Sequence, residues 1–233
     1  MAIVSSVRAA FNKLIQPLGV ELVRSKDIVD FYLHDYKSYE EYRDIQIQYN
    51  KKKIGNVWAD EATLDAVANE LSLLTGRKSL KGICHGARNG FEQNYLRKKF
   101  DFDVFGTDIS DTATQFENTV QWDFHDVNND WVGRFDFVYS NSLDQGWNPR
   151  AALSAWLNQL NDGGFLVIEH TEAHGPSGAS EMDPFGVRPT AMPYVLADWF
   201  GHRISMSVKK SKKANMDMDV WLFFVSRLVP SIE

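Results

Sequence analysis

The chain has a single cysteine, no long apolar run and no excess of positive charge. Each absence excludes something. Cys84 alone cannot close an internal disulfide, which fits a reducing compartment, so a cytoplasmic protein is the expectation. No stretch reaches the ~20 apolar residues of a membrane-spanning helix, so stable membrane insertion is not expected. The opening segment MAIVSSVRAAFNKLIQPLG carries Arg8 and Lys13 among its apolar residues and lacks the unbroken apolar core of a secretory leader. A formal net charge of −6 argues against nucleic acid as a partner. Internal repeats and low-complexity linkers are missing too. What remains is an ordinary globular composition over 233 residues, enough for one domain with a sizeable core.

Residues 1–78 read as a helical extension or cap. Ile3, Val7, Ala10, Phe11, Leu14 and Ile15 recur at helical spacing and stop at Pro17. Packing on the domain, burial in a homo-oligomer interface or fraying is preferred for this stretch over contact with a membrane surface. Tyr32, Tyr36, Tyr39, Tyr42 and Tyr49 crowd the next segment, where helix packing is preferred over a ligand-facing aromatic wall. Leu64, Val67, Ala68, Leu71 and Leu74 mark a helix that Asp60 caps and Gly76 stops. From residue 79 to 233 the pattern becomes α/β. Strands are expected at Leu80–Cys84, Val104–Asp108, Thr119–Trp122, Phe135–Ser140 and Phe165–His170, and helices at Phe91–Lys99, Pro149–Leu160 and Thr190–Trp199. Ile204–Lys209 and Val220–Ser226 form a terminal hairpin, with the basic run Lys209–Lys213 in its connection, where a solvated turn is preferred over a nucleic-acid patch. The fold class is α/β, a Rossmann-like doubly wound, seven-stranded mixed sheet with its last strand pair antiparallel.

Four segments then stand out in order: GICHGARNG (82–90), VFGTDIS (104–110), VQWDFHD (120–126) and FDFVYSNSLDQ (135–145). They are the loops that a doubly wound sheet presents to a nucleotide-like ligand at its strand ends. Gly86 and Gly90 permit a sharp turn and a close backbone approach. The G-x-G-x-x-G dinucleotide fingerprint is not met, which disfavours an NAD-linked oxidoreductase. Asp108 lies 108 − 86 = 22 residues past Gly86, where a carboxylate can accept both ribose hydroxyls. Asp123, beside the Phe124 amide, can read an adenine edge. Each acid has a bland alternative, a helix cap for Asp108 and a turn for Asp123; both together, in register with the glycine turn, carry the reading.

These segments resemble motifs I to IV of class I S-adenosylmethionine (SAM)-dependent methyltransferases, over about residues 80–226. Closer up, CHGARNGFEQ, GTDISDTA, WDFH and FDFVYSNSLDQ are similar to a subgroup that places O-methyl groups on surface glycans. The resemblance implies SAM as cofactor, with S-adenosylhomocysteine as product. It implies that Cys84, His85 and Gly86 line the methionine and ribose side and that Asp108 and Ile109 hold the ribose. Asp123 and Phe124 would read adenine, and Ser140 and Asn141 would close over the sulfonium. Cys84 stands where the family usually has a second glycine.

Methylating an alcohol needs a base beside the acceptor hydroxyl. Asp144, in the loop after the fourth strand, and His170, at the end of the fifth, are the candidates; Glu169 and His174 lie close by in sequence. A Mg2+ or Mn2+ variant of the site is conceivable. It is not favoured, because Glu169 and His170 as neighbours on a strand point to opposite faces. The Gly- and Ser-rich connection 171–187 is long enough to be a lid or acceptor wall. The expected function is methyl transfer to a hydroxyl of a small-molecule or glycan acceptor, the glycan sugar preferred. Methylation of another small molecule and a non-catalytic SAM-binding role are the alternatives. The fourth strand has no N/D-P-P-Y motif, which argues against amino-group methylation of bases or amides.

Overall fold

The computed structural model describes residues 2–214 and 216–228, without the side chains of 2–6 and 27. The Ile3 side chain and the expected domain's last residues, 229–233, lie outside it. The chain starts with α1 (Ala2–Ile15), α2 (Ser25–Ile28), a short strand β1 (Phe31–Leu33), α3 (Tyr39–Lys52) and α4 (Glu61–Thr75). The α/β part follows as β2 (Lys81–His85), α5 (Phe91–Phe100), β3 (Asp103–Asp108), β4 (Thr119–Gln121), β5 (Phe135–Ser140), α6 (Pro149–Gln159), β6 (Leu160–His170), β7 (Phe185–Val187), α7 (Met192–Phe200), β8 (Ile204–Lys213) and β9 (Met218–Arg227).

The seven-stranded sheet has the order β4-β3-β2-β5-β6-β9-β8. Strands β4 to β6 are parallel; β9 runs antiparallel to both β6 and β8. The expected topology is therefore the one that forms. Its two faces sort the core by the two-residue period of a strand. Ile83, Val138, Leu166, Ile168, Phe223 and Val225 face one side with Trp156 and Leu196 of α6 and α7. Cys84, Phe137, Tyr139, Val167, Leu222 and Phe224 face the other, under α4 and α5. Helix ends follow local chemistry. Asp60 accepts from Thr63 N at 2.7 Å, Ser38 from Glu41 N at 3.3 Å, and Gly76 ends α4 in the left-handed region.

Two expectations fail. The N-terminal segment is not helical throughout: β1 pairs antiparallel with β7, Phe31 against Val187 and Leu33 against Phe185, because the loop after β6 offers these aromatic and aliphatic residues a strand partner. The basic run is not a solvated turn. β8 extends through Lys213, whose ammonium is buried against Glu169. Val7, Phe11 and Leu14 of α1 are exposed in the single chain, which leaves an oligomer interface or fraying among the readings of this stretch, and the Asn12 side chain ties the helix back to Leu22. No described helix is long and apolar enough to cross a membrane.

Candidate functional site

The course of the sheet reverses at β2, which has β3 on one side and β5 on the other. Helices cannot cover the crevice outside the strand ends there, so loops from both halves converge on it. Gly86 leaves β2 at φ +73°, and a Cβ on it would lie 2.5 Å from Ser142 Cβ; only glycine fits between the two loops. The next turn directs the Arg88 amide onto Asp108 Oδ2 at 3.0 Å, with Arg88 itself in the left-handed region at φ +39°. Ser110 N donates to Asp108 Oδ1 at 2.9 Å. These amides stabilise the carboxylate, but burial is the larger effect and its pKa is raised. Asp123, past the end of β4, accepts from His125 N at 2.9 Å and His125 Nδ1 at 2.7 Å. Burial opposes these bonds, yet with the imidazole beside it the pKa is lowered.

Gly86, Asp108, Ile109, Asp123 and Phe124 line one slot, as the resemblance implied. Its remaining wall is α3. Asn50 Nδ2 donates to Asp108 Oδ1 at 2.8 Å, Tyr39 OH to Asp123 Oδ2 at 2.5 Å, and Tyr42 and Tyr49 line it as well. The cavity left is about 30 Å3, the room of a single water.

Lys53, Gly86, Arg88 and Gln145 line both this slot and a second cavity of about 520 Å3, within the range of small-molecule sites. Trp58, Glu92, Asn141, Asp144, His174 and Asp183 are among its lining residues. Burial raises the Asp144 pKa to about 7 and that of Glu92 to about 7. Asp183 also reaches about 7, through burial first and the Asp144 charge second. Asp144 Oδ1 is buried with no hydrogen-bond partner, as are Trp58 Nε1 and Arg88 Nε on the same walls. All three atoms lie beneath the surface of residues that line the cavity, and an orphaned buried polar atom is costly. His174 Nδ1 accepts from Thr171 N at 3.3 Å, which assigns the proton of the neutral ring to Nε2, 3.9 Å from Asp144 Oδ2. Burial, reinforced by the Lys213 charge, holds that imidazole near pKa 3, hence neutral.

Four of the expected site side chains lie elsewhere. Cys84 is in the core under α4 and α5, its thiol pKa driven up by burial. His85 stacks on Trp156 and bridges Thr107 Oγ1 and Gln159 Oε1, each at 2.8 Å; burial holds it near pKa 4. Ser140 donates to His85 O at 3.0 Å and accepts from Ser142 N at 3.1 Å, so it shapes the turn. His170 does not reach either cavity. It shares the sheet face of Ile168, and its Nε2 lies 2.8 Å from Val187 O under β7, with burial holding its pKa near 3. His174, four residues on, takes the place expected of it. Arg88 and Glu92 lay within the quoted CHGARNGFEQ segment and Asp183 within the 171–187 connection without being singled out, Tyr39 and Tyr42 belonged to the tyrosine-rich segment, and Asn50 carried no distinguishing signal. Among the described residues no three His, Cys, Asp or Glu side chains converge as metal ligands.

The sequence matches no protein-family model and no curated protein. The fold, by contrast, is shared with solved structures. The chain is similar to a 1,6-didemethyltoxoflavin-N1-methyltransferase of Burkholderia thailandensis, solved with 1,6-didemethyltoxoflavin and S-adenosylhomocysteine. The TM-score is 0.64 at 13% identity, over 84% of this chain and 92% of that one. The plantazolicin methyltransferase BpumL, in complex with S-adenosylhomocysteine and a triazolic desmethylPZN analogue, gives 0.62 at 11% identity over 81% and 98%. The [4+2]-cyclase SpnF gives 0.57 at 9% over 84% and 98%. At these identities the likeness establishes the fold, one that hosts methyl transfer and at least one other chemistry.

Proposed function

We propose that this chain is a SAM-dependent methyltransferase that methylates a hydroxyl of a small polar acceptor, a sugar of a surface glycan being the preferred class. One observation carries the reading. Two carboxylates, Asp108 and Asp123, flank a single slot at the ends of adjacent strands, and that slot shares four lining residues with an acid-lined cavity of ligand size. Structures of the same fold solved with S-adenosylhomocysteine support the choice of cofactor.

The residues fit that cofactor. Asp108 Oδ2 and Asp123 Oδ2 each keep one lone pair unused by the bonds above, for a ribose hydroxyl and an adenine amine. Gly86 lets the backbone come close, and Arg88 and Lys53 sit at the junction where a carboxylate tail would lie. When bound, SAM supplies an electrophilic methyl, so the chain itself must place the acceptor oxygen and take its proton. Asp144 is the base we assign. Its Oδ1 has no hydrogen-bond partner, a turn of the side chain would bring that oxygen to an acceptor hydroxyl in the cavity, and a pKa raised by burial to about 7 suits proton transfer. The neutral His174 ring lies beside its other oxygen, with Nε2 3.9 Å away, beyond a direct hydrogen bond. The acid-rich lining, with Glu92, Asn141, Asp144 and Asp183, suits a polar acceptor such as a sugar better than a planar apolar ring.

Calorimetry with SAM, S-adenosylhomocysteine and NAD, followed by mass analysis of glycan acceptors for the gain of one methyl, tests the proposal. The expected result is binding of the two sulfur nucleosides alone, lost in Asp108→Ala. Unaltered behaviour of Asp108→Ala, or no affinity for either nucleoside, defeats it.

A further inference from the structure

We propose that helix α3 is a built-in occupant of the nucleoside slot, and that Asn50 and Tyr39 set cofactor affinity by releasing Asp108 and Asp123 as the nucleoside enters. The inference rests on the cofactor reading above and assigns to that site residues of the N-terminal segment.

The first argument is a count of acceptor sites. An ionised carboxylate offers about four lone pairs. On Asp108, Oδ1 accepts from Asn50 Nδ2 and Ser110 N, and Oδ2 from Arg88 N, so one site is free. On Asp123, Oδ1 accepts twice from His125, and Oδ2 takes the Tyr39 hydroxyl. Arg88, Ser110 and His125 belong to the loops that shape these acids. Asn50 and Tyr39 come from a different element. The two hydroxyls of a ribose need two sites on Asp108, and only Asn50 can vacate the second without unfolding a turn. Tyr39 shares Asp123 Oδ2, the oxygen left for an adenine amine, so its departure frees a second site on that oxygen.

The second argument is room. A slot of about 30 Å3 holds one water, whereas small-molecule sites run to roughly 300–1,000 Å3. The acids are placed, but the space between them is filled by α3.

A third observation concerns what α3 turns inward. Its buried residues are Tyr42, Gln46 and Asn50, one stripe at a spacing of four, and all three carry polar ends. A helix docked permanently on a core buries an apolar stripe. A polar stripe suits a surface that faces protein in one state and ligand or water in another. The outer attachments of the same segment reach the acceptor side. Gln46 Nε2 donates to Met182 O at 3.0 Å, Tyr36 OH to Glu181 O at 2.5 Å and Tyr49 OH to Glu181 Oε1 at 3.0 Å. Asp183, the next residue, is a wall of the larger cavity. Outward movement of α3 therefore displaces that wall, and cofactor entry precedes acceptor binding.

The test is titration of S-adenosylhomocysteine by calorimetry into the wild type, Asn50→Ala, Tyr39→Phe, the double variant and Gln48→Ala, a control on the exposed side of α3. It is paired with hydrogen exchange of residues 39–52 in the ligand-free proteins. The expected result is at least a tenfold lower Kd in the double variant, about 1.4 kcal/mol, with Gln48→Ala unchanged. Its α3 amides should also exchange faster than those of the wild type before any ligand is added. Binding to the wild type with no gain in the double variant makes α3 a fixed wall and overturns this inference alone. An absence of binding to both proteins overturns it together with the cofactor reading.

Discussion

Replacing Lys213 with methionine tests how the far end of the acceptor cavity is held. Lys213 and Glu169 have no exposed side-chain surface, and Lys213 Nζ lies 2.8 Å from Glu169 Oε1. The same ammonium donates to Trp58 O at 2.5 Å and sits 4.8 Å from the Trp58 ring centre. Glu169 Oε2 takes the Tyr139 hydroxyl at 2.5 Å. Lys213→Met leaves a dry carboxylate with only that hydroxyl, and removing one partner of a buried pair costs roughly 3–5 kcal/mol. The lost bond to the Trp58 carbonyl adds about 1 kcal/mol. With an m-value of about 3 kcal/mol/M in urea, the midpoint should fall by about 1–2 M. The triple variant Lys213→Met/Glu169→Leu/Tyr139→Phe removes both charges and the stranded hydroxyl together. It should return to within about 1 kcal/mol of the wild type or exceed it, since an apolar replacement of a buried pair is often neutral or stabilising. A midpoint shift below about 0.3 M in the single variant, or additive losses in the triple one, refutes the reasoning.

Two further outcomes follow from the site. Asp144→Asn should lower kcat/KM about 10²–10⁴-fold while S-adenosylhomocysteine still binds, whereas His170→Asn should cost stability and leave turnover within a few-fold; steady-state kinetics on both variants decides between the two as base. Stability should be nearly flat from about pH 6.5 to 4.5 and collapse below about pH 4. Folded His85, His170 and His174 have pKa values of about 4, 3 and 3, below the ordinary 6.5, so their share is lost as pH falls through that interval. Folded Glu92, Asp144 and Asp183 are raised to about 7, so theirs is lost as pH rises towards 7. Each contributes about 1.36 kcal/mol per pH unit, three of each sign offset, and only the imidazoles remain once the unfolded acids are also protonated. Urea midpoints at pH 7, 5.5 and 3.5 check this; a steady decline across all three refutes it.

The amino-acid sequence by itself determined the sheet and the two acids that face its crevice. Apolar runs such as Phe135–Ser140 must be strands buried on both faces, and Asp60, Gly76 and Pro149 mark helix ends through their own backbone chemistry. Asp108 and Asp123 were legible because each lies at the end of a strand, a position fixed by short-range pattern. Tertiary structure alone decided the rest. Asn50 reaches Asp108 across 58 residues and Tyr39 reaches Asp123 across 84, and no local periodicity records such a meeting. The sheet face taken by His170, and so the choice of His174 beside Asp144, depended on β7 covering that face. Lys213 looked like one cation in a solvated turn until the extended pairing of β8 with β9 and the reach to Glu169 made it a buried one. Strand and cap signals are properties of neighbouring residues in the chain, while burial and ionisation depend on what distant segments bring to the same space.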